Sequence, residues 1–174
     1  MRRSSVVAFA VCVIVACQPQ HNALTVEQRA AMAAEVDSAA AEWWSAWEEV
    51  DADRGLSFIA DDAETAWTGD DETTYTLAAI REAWQGWEEA MEGPQQIEFT
   101  DATTVVLAPE VVCTIRRFTN VQTHVGGTVA PEFDSVETLI WVKREGEWKI
   151  LIGHESMLQE SWQDRLDYLA TREH

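Results

Sequence analysis

The side chains best suited to chemistry are a carboxylate and an imidazole in the last hairpin that the sequence predicts, Glu137 and His154. A two- or four-residue loop at 145–146 pairs Lys143 with Trp148, and counting back along both strands places Glu137 opposite His154. A three-residue bulged loop would shift the register by one residue and separate them. If they meet, the two groups could bind a polar ligand group or transfer a proton, or they could only stabilise the hairpin.

Other reactive arrangements are incomplete. Ser156 follows His154 on the same strand face, but a catalytic triad needs a third member and an oxyanion hole. His124 and His154 could share a metal only with a third protein ligand, which the sequence does not identify. The acidic residues at 51–53 lack the glycine position of a calcium loop, and no phosphate-binding loop or dinucleotide fingerprint is present. We therefore expect no metal site and no cofactor.

Hydrophobic spacing places these residues on an α+β scaffold. Thr25 and Gln28 form a capping-box pattern, and apolar residues then recur at steps of three and four to about position 50, which predicts a long first helix. A helical turn or two is expected at 56–59, and a second helix begins near Thr76 and ends at Gly93-Pro94. Strands are expected at 64–68, 97–107, 111–124, 135–143 and 147–156, with a polar turn at 69–72 and a final helix at 157–171. Helices followed by antiparallel strands indicate the α+β class.

The start of the chain resembles the leader of a bacterial lipoprotein. Arg2 and Arg3 precede an apolar run at 6–16, which is too short to cross a bilayer and typical of a secretory signal peptide. The run ends Ile14-Val15-Ala16-Cys17, which resembles the lipobox whose cysteine receives lipid; a plain signal peptide with a chance cysteine is the alternative. The resemblance implies a signal peptide at 1–16, a lipidated cysteine and tether at 17–24, and one domain at 25–174.

Composition restricts the partners. Twelve Lys and Arg residues against 31 Asp and Glu residues give a net charge of −19, which argues against nucleic acid as a ligand because phosphates must be met by basic side chains. Lipid, rather than charge, would hold the protein at a membrane. Gln18 follows Cys17 where an aspartate would resemble an inner-membrane retention signal, so the outer membrane is expected in a two-membrane bacterium. Cys113 lies in a β-branched stretch that favours a buried, inert thiol.

Three strings in the order found here resemble the nuclear transport factor 2-like superfamily, which includes SnoaL-like proteins, ketosteroid isomerases and the association domain of calmodulin-dependent kinases. The strings are Phe58-Ile59-Ala60-Asp61-Asp62-Ala63, Ala78-Ala79-Ile80-Arg81-Glu82-Ala83-Trp84, and the last hairpin from Trp141 through Gly146 and Trp148 to His154-Glu155-Ser156. The resemblance covers roughly 26–156. It implies a cystatin-like fold, in which a curved antiparallel sheet wraps around N-terminal helices as a cone with one apolar pocket.

Tryptophan is the residue type best suited to the wall of such a pocket, because each of the nine tryptophans combines a large apolar face with one N–H donor. Most of them are expected in the ordinary core. Trp43 and Trp44 point about 100° apart on a helix, so we expect one of them at a pocket mouth or an interface. The predicted pocket lining consists of Trp44, Trp67, Trp84, Leu139, Trp141, Ile152 and His154.

The resemblance to ketosteroid isomerases does not extend to their catalytic residues. When Ala60-Asp61-Asp62-Ala63 is matched to the family's string, the position of the general-base aspartate falls on Trp67, which cannot accept a proton. Tyr75 and Tyr168 both lie outside the first helix, where the catalytic tyrosine belongs. Only the acidic partner of that site has a match, near Glu137, so this isomerase mechanism is not expected.

Three functions remain open at this stage. We favour an envelope-held pocket domain that binds a small, largely apolar ligand. The first alternative is a small-molecule isomerase, cyclase or hydrolase that uses Glu137 and His154 as acid and base. The second is a homodimeric scaffold, since domains of this superfamily often pair through the outer face of the sheet. Arg116 and Arg117 are consecutive on a strand, so one of them points inward or onto an interface and needs a carboxylate.

Overall fold

A computed structural model describes residues 23–69 and 72–157, and the leader, the lipidated cysteine and the final helix that the sequence analysis predicts lie outside this part of the chain. None of the helices in the described residues is long and apolar enough to cross a membrane. The elements, in chain order, are α1 (Val26–Glu48), α2 (Ala52–Leu56), β1 (Ala66–Gly69), β2 (Glu72–Tyr75), α3 (Leu77–Ala90), β3 (Gln96–Ala108), β4 (Val111–Val121), β5 (Thr123–His124), β6 (Thr128–Val129), β7 (Phe133–Arg144) and β8 (Glu147–Met157).

Side-chain caps fix where the helices begin. The Thr25 backbone N–H donates to Gln28 Oε1 at 2.9 Å and the Gln28 N–H donates to Thr25 Oγ1 at 3.2 Å, which confirms the predicted capping box of α1. Thr76 caps α3 through its hydroxyl, as its position predicts. The short second helix lies a few residues earlier than expected, because Asp51 accepts a hydrogen bond from the Arg54 N–H and so starts a helix there.

The main sheet has the strand order β2-β1-β8-β7-β4-β3, and β5 and β6 form a separate two-stranded ribbon. All neighbours in the main sheet are antiparallel except β1, which runs parallel to β8. The prediction of a polar turn at 69–72 is wrong for its last residue, because residues 72–75 form a second short strand that pairs with β1. The α+β class, with a curved sheet and N-terminal helices, is confirmed.

Both adjacent tryptophans of α1 belong to the core. Trp43 is 0 % exposed and Trp44 is 6 % exposed. The Trp43 ring lies 5.2 Å from the ring of Trp84 on α3, whereas Trp44 lies 4.7 Å from Phe118 on β4. The expectation that one of the two lies at a pocket mouth or an interface is wrong, since α3 covers one side of α1 and the sheet covers the other.

An extra residue in β8 decides the register of the last hairpin. Near the loop the pairing is as predicted, with Trp141 opposite Ile150, but the next pair is Ile140 opposite Ile152. Leu151 is therefore the additional residue of a β-bulge, and each side chain beyond it lies on the opposite face from the one that simple alternation gives.

The predicted pairing of Glu137 with His154 is wrong as a consequence. Glu137 lies opposite Glu155, and His154 lies opposite Thr138. A register shift was expected only from a three-residue loop at the hairpin turn, whereas the observed shift lies inside β8. His154 is exposed on the outer face of the sheet, away from the helices.

An apolar row crosses the outer face of the main sheet, one residue from each strand. Each member of the row is directly paired with the next, from one edge of the sheet to the other. Three members are exposed: Tyr75 to 68 %, Ile152 to 42 % and Val105 to 43 %. The complete row is Tyr75, Ala66, Ile152, Ile140, Cys113 and Val105. Cys113 is half-buried within it, and burial raises the pKa of its thiol, as the prediction of an inert thiol requires.

Candidate functional site

A cavity of about 260 Å³ lies between the helices and the end of the sheet formed by β1, β8 and β7. Most of its wall is aromatic, supplied by Trp47 of α1, Trp67 of β1, and Trp84 and Trp87 of α3. Phe133, Met157, Gln122 and Glu155 complete the side near the sheet. Two wider hollows of about 560 and 540 Å³ lie on the surface, where exposed glutamates contribute to their lining.

The tryptophan rings of the wall are inclined to one another rather than stacked. Trp67 and Trp84 have ring centroids 5.1 Å apart and planes at 88°, and Trp47 and Trp84 have centroids 5.2 Å apart and planes at 71°. Trp87 extends the set, with its centroid 4.6 Å from that of Trp47. Trp43 packs behind them, at 5.8 Å from Trp67. Edge-to-face contacts of this kind favour fixed ring positions.

A glycine in β8 makes room for one of these rings. Gly153 lies opposite Trp67 in the parallel pair of β1 and β8. A Cβ atom added to Gly153 would lie 2.1 Å from the Trp67 Cε3 and Cζ3 atoms. Any other residue at this position would therefore displace Trp67 and change the shape of the cavity.

A buried carboxyl adjoins the cavity. Glu137 is 2 % exposed and lies directly across from the cavity-lining Glu155, on the same face of the sheet. Burial raises the pKa of Glu137 well above its ordinary value, and the charge of Glu155 raises it further. The indole N–H of Trp43 and the charge of Arg116 oppose the shift. The Trp43 contact is a weak one, because neither Trp43 Nε1 nor Glu137 Oε1 has a hydrogen-bond partner of normal geometry in the described chain.

The nearest cation is bound elsewhere. Arg116 is the cross-strand neighbour of Glu137, but its Nη2 donates to Asp37 Oδ1 at 2.8 Å and its Nη1 donates to the Thr103 carbonyl at 2.8 Å. Arg117 points outward and lies 3.4 Å from Asp134. The prediction that one of the two arginines points inward and needs a carboxylate is confirmed, and that carboxylate belongs to α1 rather than to the site.

Further polar groups lie on the same face of the sheet. Ser135, two residues from Glu137, is fully buried, and its Oγ has no partner within the described residues. Gln122 lines the cavity and donates from Nε2 to Gln95 Oε1 at 3.0 Å, and Asn120 donates to the same oxygen at 2.7 Å. The side of the cavity near the sheet therefore presents two polar side chains, Gln122 and Glu155, beside Phe133 and Met157.

The residues predicted to line a pocket divide into three groups. Trp67 and Trp84 line the cavity. Trp44, Leu139 and Trp141 are buried core residues away from it, and the Trp141 indole N–H donates to Thr114 Oγ1 at 3.0 Å. Ile152 and His154 lie on the outer face, where His154 Nε2 is 2.7 Å from Ser156 Oγ.

The sequence analysis did not assign Trp47, Trp87 and Glu155 to the pocket. Trp47 and Trp87 carried a usable signal, since both continue the apolar stripes of their helices at steps of three and four. Glu155 carried no such sequence signal, because simple alternation from the loop places it on the solvent face.

Two neighbouring carboxyls in different surroundings can divide acid and base roles, because the more buried group keeps its proton while the other ionises. A ligand in the cavity would thus contact an aromatic wall and Glu155, whose cross-strand neighbour is the buried carboxyl of Glu137. Within 23–69 and 72–157, no group of three or more His, Cys, Asp or Glu residues is arranged to hold a metal ion.

Replacing Glu137 by glutamine is expected to alter how stability depends on pH. The raised pKa means that folded protein keeps a proton that the unfolded chain loses near pH 4.5. The stabilising contribution of this proton is full below the unfolded pKa and is lost as the pH rises through the folded pKa. Glu137→Gln should therefore gain stability relative to wild type as the pH rises, by about 1.4 kcal/mol for each unit of pKa difference.

Urea unfolding at several pH values between about 4 and 9 measures this change. The exposed carboxylate Glu98 provides the control, and Glu98→Gln should follow the wild-type curve. A free-energy difference between Glu137→Gln and wild type that is the same at every pH would show that Glu137 is not protonated in the folded protein.

The comparisons with known proteins agree with this architecture. The family model described as "SnoaL-like domain" matches residues 36–160, and no curated protein matches the chain. A ketosteroid isomerase-like protein from Erwinia carotovora atroseptica superposes with a TM-score of 0.62 at 15% identity, covering 73% of this chain and 96% of that one. The association domain of CaMKII from C. elegans gives 0.58 at 12% identity, covering 75% and 98%.

A third solved structure, a hexachlorocyclohexane dehydrochlorinase (LinA) Type2, gives a TM-score of 0.62 at 16% identity and covers 74% of this chain and 86% of that one. At these identities the structural matches show a shared fold. The family match spans most of the described domain, so the chain belongs to the SnoaL-like domain family.

Proposed function

We propose that this SnoaL-like domain binds a small ligand with a largely apolar body in the tryptophan-lined cavity, with a polar group of the ligand against the Glu137–Glu155 side. The observation that carries the proposal is a cavity lined by four tryptophans and Glu155, whose cross-strand neighbour is the buried carboxyl of Glu137.

The size and lining of the cavity support a small ligand. Binding pockets are mostly apolar concave sites with a few converging polar groups, and drug-sized ligands occupy about 300–1,000 Å³. The present cavity, at about 260 Å³, is below that range. The rings of Trp67 and Trp84 touch other aromatic rings on several sides, which favours a preformed wall rather than one assembled around the ligand.

Self-association is a second proposed function, and the apolar row on the outer face supports it. The row contains exposed side chains at both edges and in the centre of the sheet, and a contiguous exposed apolar surface is a common mark of an interface. The association domain of CaMKII among the structural neighbours is consistent with pairing. A two-fold dimer would place the row of one protomer against that of its partner.

We also propose that the domain is held at the cell envelope by lipid on Cys17. Support comes from the sequence alone, through the charged start, the short apolar run and the Ile14-Val15-Ala16-Cys17 string. Attachment of more than one acyl chain would give stable anchoring.

Filling the cavity should abolish ligand binding. A ligand that raises the melting temperature of wild type, found by thermal-shift screening of small apolar metabolites, should have no effect on Ala83→Phe, because Ala83 lines the cavity. At a ligand concentration of about 100 times Kd the gain in unfolding free energy is about 2.7 kcal/mol. Ala78→Phe, on the exposed side of the same helix, should respond like wild type. A full response in Ala83→Phe would place the binding site elsewhere.

A charge in the outer apolar row should separate the protomers. In a Cys17→Ser background, which excludes effects of lipid, sedimentation should give twice the chain mass of 19.6 kDa, and Ile140→Lys should give the monomer. Val129 is an exposed apolar residue outside the main sheet, so Val129→Lys should remain dimeric. A monomeric parent protein would contradict this proposal.

Lipid attachment can be measured by metabolic labelling with palmitate in a bacterial host. The wild-type chain should be labelled and should sediment with membranes, and Cys17→Ser should lose both properties. Cys113→Ser, which removes a cysteine of the sheet, should keep them. Labelling that persists in Cys17→Ser would contradict lipidation at this residue.

A further inference from the structure

We propose that the tryptophan-lined cavity selects an organic cation, a small quaternary ammonium or protonated amine held among Trp47, Trp67, Trp84 and Trp87 with its charge towards Glu155. This inference rests on the proposed ligand-binding function and adds the chemical class of the ligand. The rings, the carboxylate and the charges around the cavity support it separately.

The arrangement of the rings is the first support. The face of an indole ring carries partial negative charge and attracts a cation within about 6 Å of its centroid. Ring planes that cross at 88° and 71° around one cavity present indole faces in more than one direction. A compact cation can therefore contact several faces at once, which a flat neutral ring cannot do as well. Aromatic cages of this kind are a known means of recognising quaternary ammonium groups.

The carboxyl groups are the second support. Glu155 lines the cavity and Glu137 lies directly behind it on the neighbouring strand. A cation placed here gains attraction from the charge of Glu155, and this attraction is stronger than in bulk water because the aromatic wall limits solvent. An anionic ligand would bring a second negative charge next to Glu155, which opposes its binding.

The basic side chains of the neighbourhood are the third support. None of the described residues that line the cavity is Lys, Arg or His. Arg116, the cross-strand neighbour of Glu137, directs its guanidinium to Asp37. Arg81, on the same helix as Trp84 and Trp87, pairs with Asp53 at 3.0 Å. These two arginines thus bind carboxylates outside the cavity.

A pair of ligands that differ only in charge provides the test. Choline and 3,3-dimethyl-1-butanol have nearly the same shape, but a carbon replaces the ammonium nitrogen in the alcohol. Calorimetric titration of the purified full chain, at constant ionic strength, should give choline a dissociation constant at least about tenfold lower than that of the alcohol.

Variants assign the difference to the cavity. Glu155→Gln should weaken choline to about the affinity of the alcohol and leave the affinity for the alcohol unchanged. Trp87→Leu should weaken choline several-fold, since it removes one ring from the wall. Glu98→Gln removes an equal charge from an exposed position away from the cavity, and it should bind both probes like wild type.

Four results would overturn the proposal. Equal affinities for the two probes would show that the cavity does not select charge, and the proposed small-ligand function would stand. If Glu98→Gln and Glu155→Gln weaken the binding of choline equally, the preference for choline comes from the net charge of −19 and not from the cavity. If neither probe binds, but a neutral ligand is found whose binding Ala83→Phe abolishes, the cation proposal is wrong and the small-ligand function stands. If neither probe binds and no compound of the thermal-shift screen binds, the ligand-binding function is wrong as well.

Discussion

The bulge at Leu151 determines which half of β8 faces the helices. Before the bulge, Trp148 and Ile150 face inward; after it, Gly153 and Glu155 do so. If β8 instead alternated regularly through Leu151, Ile152 and His154 would face the helices, and the side chain of Ile152 would take the place where Trp67 now meets Gly153. The close contact of Trp67 with the strand and the position of Glu155 beside Glu137 both depend on this single irregularity. Bulges are common next to functional sites because they redirect side chains in this way.

The tryptophan cluster connects the bulge to the helices. Trp43 is fully buried and contacts Trp47, Trp67 and Trp84. Each such aromatic pair contributes about 0.5–1.5 kcal/mol beyond the burial of its surface, so α1, α3 and β1 are held together by the same rings that enclose the cavity. Stability and the shape of the site are therefore linked, and a change to either helix that moves a ring will be felt at the cavity.

The buried carboxyl opposes this stabilisation. Burial of an ionised Glu137 without a paired cation would be costly, and the raised pKa of this carboxyl favours its neutral form. A neutral residue at this position would be more stable, and Arg116, which could neutralise the charge, is bound to Asp37 instead. Stability alone does not account for a carboxyl here, whereas a ligand that uses a proton donor or an acceptor would.

The sequence by itself determined most of the elements and the family. The capping box of α1, the start of α3 and the long antiparallel strands depend on local patterns, so they could be read directly. The ordered strings from Phe58 to Ser156 resembled the superfamily, which the family match confirms, whereas the expectation that Trp67 at the base position rules out the isomerase mechanism stays a prediction. Trp67 and Trp84, which were predicted to line a pocket, do line the cavity, because they lie on elements whose inward faces the spacing defines.

Only the tertiary structure decided which carboxyl is the neighbour of Glu137. A strand has a side-chain period of two, so one unrecognised extra residue reverses every later assignment and exchanges His154 for Glu155. No local pattern marks Leu151, because its neighbours are apolar on both sides and fit either register. The short strand at 72–75 was missed for a related reason: its polar residues favour a turn, and pairing with β1 overrides that preference. The cavity itself depends on contacts between the segment from β1 to α3 and the distant elements α1, β7 and β8, and these contacts do not appear in the spacing within any one element.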